Sequence, residues 1–235
     1  MNVKAGPSMS ANGIFEFWSR IKRGERIHPS DRPVFKRMDA ARHGFKLKCL
    51  PACFAGPLRK APVVLLYLSP GYDKGEEADA KKKEVQDKYW RRWRGSEPLS
   101  DGDGSGPRWV RSRTRIFGDY KIVRKKIAIL NIGAYHSKNM QSYASMLALP
   151  SSRVTLDWAQ GYLFRQALRR ERIVICMRSA AYWGLEAGKK YRGSWLFAPD
   201  TTRNGYLKQK NQSQRRLIKL VCKKLGTKPK FKRGS

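Results

Sequence analysis

Apolar positions fall into short unbroken runs and into helical stripes. The first strong run, Val63 to Leu68, ends abruptly at Ser69-Pro70-Gly71-Tyr72-Asp73. Similar runs occur in KIAILNIGAYHS, where Ile127 to Asn131 reads as a strand, in RIVICM, and more briefly in SWLFAPDTTRNG. Helical spacing relates Ile14, Phe17, Trp18 and Ile21, then Val154, Trp158, Leu163, Ala167 and Leu168. A last helix carries Leu217, Leu220, Val221 and Leu225, with Gly226 as its stop. Continuous apolar strands are buried on both faces, and their alternation with helices predicts an α/β three-layer sandwich around a mostly parallel sheet of four strands.

The remaining segments mark the edges of this body. Residues 1–13 read as a flexible lead-in, 14–226 as a single domain and 227–235 as a basic tail. Residues 74–107 hold eight of the eighteen acids, with KKKEVQDKYWRRWRG and SDGDGSG, and read as an insertion or lid outside the core.

Charge changes the picture most. Fifty-one Lys and Arg against eighteen Asp and Glu give a net +33 over 235 residues, interleaved with aromatics. A polyanion is the expected partner, and DNA or RNA is favoured over a membrane because no basic amphipathic helix stands alone. No run approaches a membrane span, so a soluble, monomeric protein of a reducing, cytoplasmic compartment is expected. Cys49 and Cys53 form an isolated CLPAC, and Cys176 and Cys222 lie far off, so neither a metal nor a cofactor is expected.

In an open parallel sheet ligands bind beyond the carboxyl ends of the strands. The segments there supply Ser69, Tyr72 and Asp73, then Asn131, Tyr135, His136 and Ser137, then Arg178 and Trp183, and last Asp200, Thr202, Arg203 and Asn204. The Arg residues of RWVRSRTR, Arg111, Arg113 and Arg115, alternate so that on a strand they would share one face along a phosphate backbone. From Arg203 onward twelve Lys or Arg stand without an acid.

In order, IHPSD, FAGPL, LLYLSPGYD, AILNIGAYHSK, LPSS, RIVICMRSAAYW and RNGYL resemble a prokaryotic branch of the uracil-DNA-glycosylase superfamily, over about residues 26 to 207. The resemblance implies that fold, and a monofunctional, cofactor-free enzyme that flips a base from DNA and hydrolyses its N-glycosidic bond with water. It implies that Pro70 fixes the first turn, that Gly71 lets main chain approach the sugar and that Tyr72 and Tyr135 flank the base. Asn131 would read a pyrimidine edge through its amide. Ser69 stands where Asn or Asp is common, so the water falls to Asp73 or Ser69, or catalysis rests on electrostatic stabilisation of the sugar cation. The late His-Pro-Ser reads Ala198-Pro199-Asp200 here, and His136 is the substitute donor to the departing base. Ser137, Lys138, Arg178, Arg203 and Asn204 join Arg111, Arg113 and Arg115 as DNA contacts. These departures favour a modified pyrimidine, as in phage DNA, and a role in antiviral defence. A plain uracil-repair glycosylase and a catalytically inactive, nucleic-acid-binding relative are the alternatives.

Overall fold

Val63–Tyr67, Ile127–Asn131 and Ile173–Cys176 are buried at every position, as unbroken apolar runs require. The computed structural model describes residues 9–39, 43–191 and 193–231. In chain order the named elements are α1 (Gly13–Trp18), α2 (Arg32–Arg37), β1 (Phe54–Ala55), β2 (Val63–Tyr67), α3 (Lys74–Asp79), α4 (Lys83–Arg92), α5 (Ser105–Thr114) and α6 (Tyr120–Val123). They continue with β3 (Ile127–Asn131), α7 (Tyr143–Ala148), α8 (Pro150–Trp158), α9 (Phe164–Leu168), β4 (Ile173–Cys176), β5 (Lys189–Lys190), β6 (Leu196–Ala198) and α10 (Gln212–Leu225).

The sheet has six strands in the order β1-β3-β2-β4-β6-β5, with helices on both sides. Strand β4 runs parallel to β2, with Val63 opposite Ile173, and parallel to β6, while β5 is antiparallel to β6. The expected sheet of four mostly parallel strands is therefore corrected to a mixed sheet of six. The four anticipated strands are its inner members, and the two additions are edge strands of two residues each. Such a short strand carries no hydrophobic period, and Lys189-Lys190 carries no apolar side chain either.

Two compact units partition the chain, each assembled from three segments. The first comprises 1–54, 68–95 and 131–165. In it Trp18 of α1 stacks on Trp93 at 4.5 Å, and Phe15 meets Phe54 and Trp158 edge-on. Proline at the first position of α8 costs no hydrogen bond there, and a π-helical turn, Ala159–Leu163, joins α8 to α9. Residues 9–12 are held rather than loose, since the indole N–H of Trp158 donates to the Ala11 carbonyl. Residues 1–8 of the expected lead-in lie outside the described residues.

The second unit comprises 55–67, 96–130 and 166–235. Its core joins Val63, Leu65 and Tyr67 to Ile127 and Ile129, Ile173 and Ile175, and Leu217, Ile218, Val221 and Leu225 of α10. Asn211 caps α10 by accepting from the Gln214 N–H, and Gly226 ends it at φ +73°, as the sequence predicts. The tail continues in place to Phe231, with Lys230 N–H on the Ile116 carbonyl and the Arg215 guanidinium 4.8 Å from the Phe231 ring. Residues 232–235 lie outside the described residues.

Residues 74–107 are not excluded from the core. Ala80, Tyr89 and Trp93 are buried in the first unit and Leu99 in the second. Their charged neighbours masked these anchors in the composition. The arginines of RWVRSRTR lie on α5 and the 3₁₀ turn that follows it, not on a strand, so Arg111, Arg113 and Arg115 do not share one face by alternation.

Candidate functional site

The segments that follow β2 and β3 are laced together inside the first unit. Gly133 N–H donates to the Leu68 carbonyl at 2.8 Å, and Ser137 N–H to the Pro70 carbonyl at 3.3 Å. A Cβ on Gly133 would come within 2.9 Å of the Met146 side chain, so a larger residue there requires Met146 to shift. Ser69 to Asp73 and Asn131 to Lys138, predicted separately, therefore form one structure.

His136 is the knot. It is buried, and its Nδ1 lies 2.6 Å from the Gly71 carbonyl oxygen and 2.5 Å from Glu76 Oε2. Its Nε2 lies 3.1 Å from the Leu50 carbonyl oxygen. Each of these partner atoms is an acceptor, so whichever ring nitrogen carries a proton donates it, Nδ1–H to Gly71 or Glu76 and Nε2–H to Leu50. Cys49 completes the group: its Sγ, a Glu76 carboxylate oxygen and a His136 nitrogen lie within 4.8 Å of one another. Burial, and then the Glu76 and Glu77 carboxylates, push the Cys49 thiol up to about 12. Glu76 and Cys49 were not among the expected site residues. Their approach depends on three distant segments meeting, for which no local spacing gives a signal.

Around this knot the loop presents Gly71 and Asp73 outward. A Cβ on Gly71 would meet nothing within 4 Å. Tyr72 is half-buried, its hydroxyl donating to Glu77 Oε1 at 2.9 Å and Lys46 Nζ lying 5.4 Å from its ring centre. Asp73 caps α3, one carboxylate oxygen accepting from the Gly75 N–H at 2.9 Å. Asn131 is buried at the end of β3, and one of its two amide N–H groups donates to the Ala52 carbonyl. Ser137 is buried, whereas Lys138 is exposed.

Tyr135 is 1% exposed. Its hydroxyl donates to Asp31 Oδ2 at 2.6 Å and accepts from the His28 N–H, and its ring meets Phe35 edge-on. Fully buried Asp31 also accepts from the Ser151 N–H. This network joins IHPSD, AYHSK and LPSS, so three of the segments carrying the family resemblance are in contact in the interior.

The other expected contact residues belong to the second unit. Arg113 lies between the Trp109 and Tyr206 rings, 4.9 and 4.3 Å from their centres, and donates to the Tyr206 hydroxyl and the Asn204 carbonyl. Gly205, next to Asn204, packs closely on Tyr67 and on the Arg178 side chain. Arg113, Asn204 and Arg178 are thereby brought together. Arg111 is turned to the Asp101 and Gly102 carbonyls and the Tyr120 ring, while Arg115, Arg178 and Arg203 are exposed. Trp183 is fully buried at the end of a 3₁₀ turn, and Asp200 pairs with Lys208.

No helix among the described residues is long and apolar enough to cross a membrane. No family model, curated protein or solved structure matches the chain.

Proposed function

We propose that the chain is a monofunctional DNA glycosylase that acts as a monomer on DNA, extrudes a modified pyrimidine and hydrolyses its N-glycosidic bond. The observation that supports this reading is the lacing of the Ser69–Asp73 and Asn131–Lys138 segments into one structure, with open main chain at Gly71 and an aromatic ring and a carboxylate beside it. Gly71 leaves room for the sugar, and Tyr72 offers a face on which an extruded base stacks. Water adds to the anomeric carbon, the base leaves with the bonding pair, and an abasic site remains. The Asp73 carboxylate stabilises the cationic sugar and takes the proton from water. The net charge of +33 supplies affinity for the phosphate backbone. Phage DNA with modified pyrimidines is the substrate class proposed, in a defensive role inside a prokaryotic cell.

The test incubates the protein with DNAs containing uracil, unmodified bases or modified phage pyrimidines, and detects released base by mass and abasic sites by alkali cleavage. Release of a single base type is expected, lost in Asp73→Asn. Asparagine caps a helix as well as aspartate does, so that loss isolates the carboxylate. Preferential release of uracil would instead mark a repair enzyme. A specific observation favours a second reading, a non-catalytic binding module: one Asp73 carboxylate oxygen and one Asn131 amide N–H already have partners within the protein. Salt-sensitive binding with no abasic sites on any substrate would establish it.

A further inference from the structure

We propose that Cys49, Glu76 and His136 form a binding site for one zinc-class divalent cation, which clasps the loop after β2 to the body of the first unit. With a metal bound, Nε2–H donates to the Leu50 carbonyl oxygen 3.1 Å away, the arrangement that orients a metal-binding imidazole and directs the lone pair of its other nitrogen into the site. That other nitrogen, Nδ1, lies 2.5 Å from the Glu76 carboxylate and 2.6 Å from the Gly71 carbonyl oxygen. The Cys49 Sγ, a Glu76 carboxylate oxygen and a His136 nitrogen lie within 4.8 Å of one another, and the Gly71 carbonyl oxygen lies 2.6 Å from Nδ1. A cation satisfies all of them at once.

The donor set selects the ion. A thiolate, an imidazole and a carboxylate suit zinc or a similar borderline metal, whereas magnesium and calcium take oxygen ligands. Thiolate and carboxylate together carry two negative charges, which neutralise a divalent ion in this buried setting. The Gly71 carbonyl or a water fills the fourth position. Tetrahedral coordination at bond lengths of about 2.1 Å separates neighbouring donors by roughly 3.4 Å. The Glu76 carboxylate, and the Gly71 carbonyl where it ligates, must therefore move outward from His136 by about 1 Å, which the half-buried Glu76 on the six-residue helix α3 does by side-chain rotation. Loading releases the thiol proton, and any proton held between Glu76 and His136, to solvent.

The inference does not depend on the glycosylase reading. Metal binding without base release, or base release without metal binding, separates the two. The experiment titrates purified, chelator-stripped protein with cobalt(II), a spectroscopic stand-in for zinc. One equivalent is expected to bind, with a thiolate-to-cobalt charge-transfer band in the near ultraviolet and the visible bands of four-coordinate cobalt. Zinc should displace it and raise the melting temperature. Cys49→Ser should abolish the charge-transfer band, and the near-isosteric Glu76→Gln should weaken binding at least tenfold, while Cys222→Ser in the second unit keeps both signals. Circular dichroism of each variant confirms that it is folded. Absence of stoichiometric cobalt in the folded wild-type protein, or an unchanged band in folded Cys49→Ser, would overturn the proposal.

Discussion

Asp31 shows how a single side chain ties distant sequence together. Its buried carboxyl takes hydrogen bonds from the Tyr135 hydroxyl and the Ser151 N–H. Tyr135→Phe leaves that carboxyl short of a donor and the His28 N–H short of an acceptor. A loss of about 1–3 kcal/mol in denaturant unfolding is expected. His28 adds a pH dependence. Its ring stacks on Phe17 at 3.8 Å, Nε2–H donates to the Phe17 carbonyl and Nδ1 accepts from the Ser30 N–H, which uses both nitrogens of the neutral form. Burial lowers its pKa, and that of His43, below the ordinary value. The unfolded chain then binds these protons first as pH falls, so the stability they contribute is complete above about pH 6.5 and is lost as pH drops through the lower folded values. Denaturation midpoints measured across this range should decline toward acid, with a shallower decline in His28→Gln. In sequence, IHPSD and AYHSK were legible as parts of a resemblance, but the Asp31–Tyr135 bond was not. Nothing local distinguishes a tyrosine facing a ligand from one facing a buried acid.

Elements were legible where their period was long and apolar. Helix α10 buries Leu217, Ile218, Val221 and Leu225 on one side and ends at the anticipated glycine. Ile218→Ala should therefore cost about 2–5 kcal/mol in chemical denaturation, against a change within about 0.5 kcal/mol for exposed Lys219→Ala. Edge strand β1 rests on a different device. Gly56, immediately after it, has φ +85°, and a Cβ there would collide with the Ile127 carbonyl oxygen and press on the Ala128 backbone. Gly56→Ala should lower the melting temperature well beyond the effect of Gly24→Ala, where φ is also positive but nothing stands within 4 Å. Helix α5 shows the limit of pattern reading. Arginine at alternate positions looked like a strand face, yet Trp109 and Val110 pack on the core and Thr114 is buried, which sets the helix by contacts the arginines hide.

For the whole molecule, charge decides the behaviour in solution. On the proposed reading as a DNA enzyme, a net +33 predicts an affinity for DNA that falls steeply with salt, by about 10³-fold between 50 and 200 mM if some six phosphates are neutralised. Arg203→Ala should lower the slope of log affinity against log salt by about one if Arg203 meets a phosphate. All four cysteines, by contrast, are buried, and burial pushes the Cys53 and Cys176 thiols up to about 12. Alkylation followed by mass spectrometry should leave these two unmodified in the native protein at neutral pH and label both in denaturant.

The sequence by itself determined the α/β class, the positions of the long strands and the last helix, and the excess positive charge. These follow from periodicity, turn residues and composition, which are local or summed quantities. Only the tertiary structure decided that the loops after β2 and β3 are laced together, that Tyr135 faces Asp31, that the acidic and basic segment 74–107 contributes Tyr89, Trp93 and Leu99 to the interior, and that Cys49, Glu76 and His136 meet. Each of these is a contact between residues far apart in the chain. Such contacts are fixed by packing and by the pairing of buried polar groups, and neither leaves a periodic trace in the sequence.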